Sequence, residues 1–185
     1  MLKVKNFDNR PGFIWLDGRF VKWNQAKLHV LSHGLHYASC VFEGARVYNG
    51  KIFKLNEHTK RLFFSSKTLG FKLPYREKVI NKACEEIVKK QKIQNGYLRP
   101  FAWRGSEMMA ISAQNTTIHV AIATWEMSTY FDKSKKFNGI KLKTSRWIRP
   151  PSNTAPTQAK AAGLYMICTL SKHIAEKKGF DDSLM

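Results

Sequence analysis

Asn153-Thr154-Ala155-Pro156-Thr157-Gln158-Ala159-Lys160-Ala161-Ala162-Gly163-Leu164-Tyr165 is small, weakly polar and carries one lysine near its middle. The chain has 32 Lys and Arg, nearly all among other charges or on polar stretches, whereas Lys160 has Ala159, Ala161, Ala162 and Gly163 as neighbours. Small neighbours leave room beside the amine for a ligand. Desolvation lowers a lysine's pKa and makes its amine a nucleophile able to form a Schiff base. The competing reading is a solvated lysine at the start of a helix from Ala161 to Lys178, and spacing alone favours it. The rest of the chain decides between the two.

At 185 residues, with 43% hydrophobic and 12% aromatic content, there is material for one packed domain or two small ones, and disorder is not expected. No apolar run approaches the roughly 18 residues of a membrane span. The first ten residues, Met1 to Arg10, lack the apolar core of a secretory signal. Cys40, Cys84 and Cys168 are scattered without CxxC spacing, which reads as free thiols in a reducing, cytoplasmic setting. The net charge of +19 suggests weak attraction to polyanions. Its basic runs, such as Lys89-Lys90-Gln91-Lys92 and Lys177-Lys178, read as solvated faces. No nucleic-acid-binding motif accompanies them, so no specific nucleic-acid partner is expected.

Phe13 to Trp23 reads as a hairpin with an Asp17-Gly18 turn, and Val47 to Leu55 as another with an Asn49-Gly50 turn. Between them lie His29, His33 and His36. Their spacing invites a metal, but Gly34 and the absence of an HExxH glutamate argue for histidines that hydrogen-bond backbone; no metal is expected. Asn56 is placed to cap a helix running to Leu69 and ending at Gly70, with Leu62, Phe63, Phe64 and Leu69 as its buried stripe and Arg61 beside it. A second helix spans Tyr75 to Lys90 with Val79, Ala83, Ile87 and Val88 inward. Tyr97 to Trp103 and Thr116 to Trp125 read as strands, and Arg99 in the first is either snorkelling or aimed at an anion. Ile140 to Ser145 alternates as a strand, and Phe180 to Met185 reads as the start of another.

In order along the chain, His33-Gly34-Leu35-His36-Tyr37, Val41-Phe42-Glu43-Gly44 with Arg46, His58 to Leu62, Tyr97-Leu98-Arg99-Pro100, and Lys160-Ala161-Ala162-Gly163 with Tyr165 resemble the class IV aminotransferases. These are the pyridoxal-phosphate enzymes of fold type IV, and the branched-chain amino acid aminotransferases are the subgroup most similar. The resemblance runs from about Ile14 to the end. It implies an α/β fold. Residues 1–126 would form an N-terminal domain of antiparallel strands and helices, and 127–137 a linker. Residues 138–185 would begin the domain that binds pyridoxal 5'-phosphate.

The same resemblance implies a role for each site residue. Lys160 would hold the cofactor as an aldimine and then serve as the base at Cα. Arg61 would clamp the phosphate, and Tyr165 would lie beside the ring's phenolic oxygen. Arg99 would read the second carboxylate of glutamate or 2-oxoglutarate. Phe42 and Gly44 would shape the side-chain pocket, Tyr37 would close it from a neighbouring subunit of a homodimer, and Tyr130 would be a further pocket tyrosine. The implied reaction moves the amino group of leucine, isoleucine or valine to 2-oxoglutarate.

The family's partner for the pyridine nitrogen and the backbone turns for phosphate and substrate carboxylate are expected beyond Met185. The chain is therefore expected to be incomplete, and inactive by itself. The alternatives are a D-amino acid aminotransferase, an aminodeoxychorismate lyase, a noncatalytic remnant and a basic nucleic-acid-binding protein.

Overall fold

The computed structural model describes residues 6–128 and 133–185. Its spine is a pair of nine-residue antiparallel strands, β6 (Gly96–Arg104) and β7 (Ile118–Glu126). On the far edge of β7 lies the hairpin β1 (Phe13–Leu16) and β2 (Arg19–Lys22). On the other side of β6 lie β3 (Cys40–Phe42), β4 (Ala45–Tyr48) and the short β5 (Lys51–Ile52). The seven strands run in the order β2-β1-β7-β6-β4-β5, with β3 pairing the other end of β6. Both hairpin turns expected from sequence are present. Asp17 and Gly18 both have positive φ, as do Asn49 and Gly50, the geometry these dipeptides supply to a tight hairpin.

Two 14-residue helices, α2 (Leu55–Thr68) and α3 (Glu77–Lys90), cover one face of this sheet. The core joins Leu62 of α2 and Ile80, Cys84 and Ile87 of α3 to Val41, Val47, Leu98, Val120 and Ile122 of the sheet. Each such fully buried aliphatic side chain contributes about 1.5–3 kcal/mol. The stripes differ from expectation in detail. On α2 the buried positions are Thr59, Leu62, Ser65 and Ser66, while Phe64 is exposed. On α3 Ala83, Ile87 and Val88 are buried as expected, joined by Ile80 and Cys84, while Val79 is exposed. Asn56 does not cap α2. Lys54, in the left-handed region, precedes the helix, and the Asn56 side chain accepts a hydrogen bond from Asn81 of α3. Leu69 and Gly70, the latter at φ +72°, end α2 where expected.

The histidines of the first loop bond backbone, as expected. The short helix α1 (His33–His36) carries two of them: His33 Nε2 bonds Ala110 O and His36 Nε2 bonds Val30 O. His29 Nδ1 accepts the N–H of Leu31.

Arg46 donates to the carbonyls of Met127 and Ser128, fixing the start of the stretch read as a linker. A helix, α4 (Lys133–Asn138), overlaps the end of that stretch. The C-terminal part holds β8 (Leu142–Thr144), α5 (Met166–Lys177) and β9 (Asp182–Leu184). β8 and β9 pair in parallel, so residues 180–185 do continue into a strand. The helix expected from Ala161 begins later: Ala162–Tyr165 is a 3-10 turn, and the α-helix starts at Met166. Ala161 is extended instead, because it bridges to Val41.

Candidate active site

The extended backbone around Lys160 ties the C-terminal part to the sheet. Phe42 N–H donates to Lys160 O at 3.1 Å, and Lys160 N–H donates to Ser65 Oγ on α2 at 2.9 Å. Lys160 is thus held through its main chain from both sides, with its side chain free to project beside Tyr165. There Nζ donates to the Tyr165 hydroxyl at 2.6 Å and lies 4.7 Å from the centre of the Phe42 ring. Phe42 and Tyr165 meet edge-on at 4.8 Å. Ala159 and Ala161 are buried, and a Cβ on Gly163 would come within 3.0 Å of Ala38 Cβ, so the small residues let the stretch pack closely.

Arg61 stands on α2 one turn before Ser65. Its guanidinium forks onto Glu43, Nε to Oε1 at 2.5 Å and Nη2 to Oε2 at 2.8 Å. His58 Nδ1 reaches the same Oε2 at 2.8 Å. Glu43 is completely buried. Burial pushes its carboxyl upward, but the hydrogen bonds from Arg61 and His58 outweigh burial and hold it below the usual carboxylate value. The hydrogen bonds that Arg61 donates to Glu43 in turn raise the arginine's own pKa. The fork uses two of the five guanidinium N–H groups, and among the described residues the other three have no protein acceptor.

On β6, Arg99 lies over the Phe42 ring at 4.6 Å, and its Nη2 donates to the Tyr97 hydroxyl at 3.3 Å. Its Nε is buried and has no partner among the described residues. Gly44 makes room for Tyr97, since a Cβ there would sit 1.8 Å from the phenol oxygen. Cys40, beside this group, has its thiol pushed up to about 11 by burial, with Arg99 acting the other way.

The structure therefore brings Lys160, Tyr165, Phe42, Arg61, Gly44 and Arg99 to one region. Tyr37 faces outward at 45% exposure and stacks on His33 at 4.5 Å. Tyr130 lies outside the described residues. Four residues went unread as parts of the site: Glu43, His58, Ser65 and Tyr97. Two signals were available. Glu43 is a lone acid inside Val41-Phe42-Glu43-Gly44-Ala45, and His58 and Arg61 share a helix face at i, i+3.

Chemically, the arrangement offers an amine in contact with a phenol, a pre-held guanidinium with spare donors, and a second arginine on an aromatic wall. Among the described residues no group of His, Cys, Asp and Glu could hold a metal. Among the same residues no helix is long and apolar enough to cross a membrane.

Residues 40–185 match the family described as amino-transferase class IV. Over 183 residues the chain is 42% identical to a probable branched-chain-amino-acid aminotransferase of Rickettsia bellii, covering 98% of this chain and 62% of that protein. It is 38% identical over 181 residues to the branched-chain-amino-acid aminotransferase of Pseudomonas aeruginosa, covering 96% and 59%. Among solved structures it resembles the T.th. branched-chain amino acid aminotransferase with pyridoxamine 5'-phosphate. There the TM-score is 0.90 at 36% identity, over 95% of this chain and 59% of that one. The chain spans about three-fifths of the length of the curated relatives it matches.

Proposed function

The chain belongs to the class IV aminotransferases, and from that membership we propose that it serves transamination between branched-chain amino acids and 2-oxoglutarate with pyridoxal 5'-phosphate as cofactor. The observation that carries the proposal is the Lys160 amine, pinned through its backbone and placed 2.6 Å from the Tyr165 hydroxyl. The relatives' names and the pyridoxamine 5'-phosphate in the T.th. structure support the substrate class and the cofactor.

The residues present fit the group. A flat pyridine aldehyde with a phosphate needs an amine, a phosphate clamp and an unobstructed wall. Lys160 supplies the amine, and Arg61 supplies spare N–H donors held in a fixed direction. The alanines and glycine around Lys160 leave the space. The bound cofactor supplies an electron sink for the charge left when the substrate Cα loses its proton. Lys160 Nζ is the base that carries that proton, with the Tyr165 hydroxyl accepting a hydrogen bond from it and orienting it. Arg61 binds the phosphate through its uncommitted edge. Arg99, whose Nε has no partner among the described residues, binds the distal carboxylate of the acceptor, while the Phe42 ring offers an apolar wall to an aliphatic side chain and Gly44 leaves room for the Tyr97 ring beside it.

The proposal includes a homodimer in which Tyr37, exposed on its loop, closes the partner's pocket. It also includes a cytoplasmic setting, and a division at residues 127–137 between an N-terminal domain, 1–126, and a cofactor-binding part from 138.

The test is to load the full chain with pyridoxal 5'-phosphate, reduce it with borohydride and map the modified peptide. Label on Lys160 is expected; leucine-dependent conversion of 2-oxoglutarate to glutamate is expected of a protein with its relatives' full length, not of these 185 residues alone. Label elsewhere, or a Lys160→Ala variant with full activity, would defeat the proposal.

A further inference from the structure

We infer that Glu43 is a positioning residue that acts through Arg61: buried behind the arginine, it fixes the direction in which the guanidinium offers its donors to the cofactor phosphate. The inference rests on the proposed role of Arg61 as the phosphate ligand.

Glu43 is unusual in being a fully buried carboxylate with both oxygens satisfied. Oε1 takes Arg61 Nε, and Oε2 takes Arg61 Nη2, His58 Nδ1 and the N–H of Gly44 at 3.3 Å. A carboxylate placed there without these partners would be strongly unfavourable, so the cluster forms as a unit. Its backbone is equally fixed, because Glu43 N–H donates to Pro100 O on β6 at 2.8 Å.

The consequence falls on Arg61, whose side chain is half exposed. A half-exposed arginine ordinarily samples many rotamers, and a ligand that orders it loses affinity in doing so. Here the Nε–Nη2 edge is already occupied by Glu43. The Nη1–Nη2 edge is left facing away from the carboxylate, in the planar fork that suits two phosphate oxygens. The guanidinium also lies within electrostatic reach of Tyr165, on the Lys160 side.

Charge makes the inference sharp. The Glu43 carboxylate cancels the charge of Arg61, so the phosphate is bound by aimed donors more than by excess positive charge. Glu43→Gln makes the site more positive by one charge. Attraction alone would then tighten phosphate binding, whereas a positioning role requires it to weaken.

The experiment measures the affinity of the full chain for pyridoxal 5'-phosphate and for pyridoxal, which lacks the phosphate, by absorbance titration. Folding is checked by circular dichroism. E43Q is expected to weaken pyridoxal 5'-phosphate by about tenfold, in the range typical of residues that orient a ligand-binding side chain, and to leave pyridoxal unchanged. An unchanged or tightened affinity for pyridoxal 5'-phosphate overturns the inference. So does an equal loss for both ligands, which would mark Glu43 as merely structural. If E43Q does not fold, E43D carries the test, since it keeps the charge but is too short to hold the fork. The same selective loss supports the inference, and no loss or an equal loss overturns it. Arg61→Ala is run alongside. If it leaves the preference for the phosphorylated ligand intact, the assignment of Arg61 as phosphate ligand fails, an outcome distinct from a failure of Glu43 alone.

Discussion

The hydroxyl of Ser65, completely buried on α2, accepts the backbone N–H of Lys160 at 2.9 Å across 95 residues of sequence. This bond and the one from Phe42 N–H to Lys160 O set the amine's position before any side-chain contact does. Ser65→Ala strands the Lys160 N–H beside an apolar methyl. The expected loss is about 1–3 kcal/mol, the usual cost of an unsatisfied buried donor. Denaturant unfolding measures it. A loss no greater than that of a surface Ser→Ala change would show that the bond does not hold the lysine.

Gly44→Ala places a methyl 1.8 Å from the Tyr97 hydroxyl and 2.6 Å from its Cζ. The ring must move, and it leaves its 3.3 Å contact with Arg99. Overpacking of this kind costs about 1–3 kcal/mol. The double variant Gly44→Ala/Tyr97→Phe should recover only part, because the ring carbon still collides. Thermal melts of the two variants give the comparison, and full recovery would contradict the geometry.

Acid stability follows from Glu43. Burial raises its carboxyl, the bonds from Arg61 and His58 lower it further, and the result lies below the ordinary value of 4.5. A group depressed on folding stabilises the fold above its unfolded pKa, and that stabilisation disappears as pH falls through the folded value. Arg61→Ala leaves burial opposed by His58 and the longer bond from the Gly44 N–H, without the arginine's charge and fork, so Glu43 protonates at higher pH. The acid-unfolding midpoint, followed by circular dichroism, is therefore expected to rise relative to the parent. A midpoint that stays put or falls would mean the fork does not hold the charge.

Arg99→Ala separates the two substrates. On the proposed role of Arg99, removing its guanidinium costs the acceptor's distal carboxylate a charge-assisted partner, so in a protein with its relatives' full length KM for 2-oxoglutarate is expected to rise about tenfold or more. KM for leucine, whose side chain meets the aromatic wall, changes only a few-fold. Equal losses would remove Arg99 from carboxylate recognition.

Much of this was legible in the residues because it is local. Asp17-Gly18 and Asn49-Gly50 announce hairpins since few dipeptides tolerate positive φ twice in succession. Lys160 stands out through its neighbours, and Gly70 through the stop it gives α2. What was hidden depends on packing between distant segments. Nothing local says that Ala161 bridges to Val41, and without that bridge the run looks helical from Ala161 onward. Val79 and Ile80 are interchangeable by hydrophobicity, and only the turn of α3 on the sheet buries the second. Glu43, between Phe42 and Gly44, shows no partner in its own stretch, because the arginine that forks onto it comes from α2.

Strand β6 carries two alphabets on one backbone. Leu98 and Ala102 belong to the core against the helices, while Tyr97, Arg99, Phe101 and Trp103 line the opposite face. The second set can be rewritten without touching the first. A chain built this way can vary what it presents on one face while its foundations stay fixed.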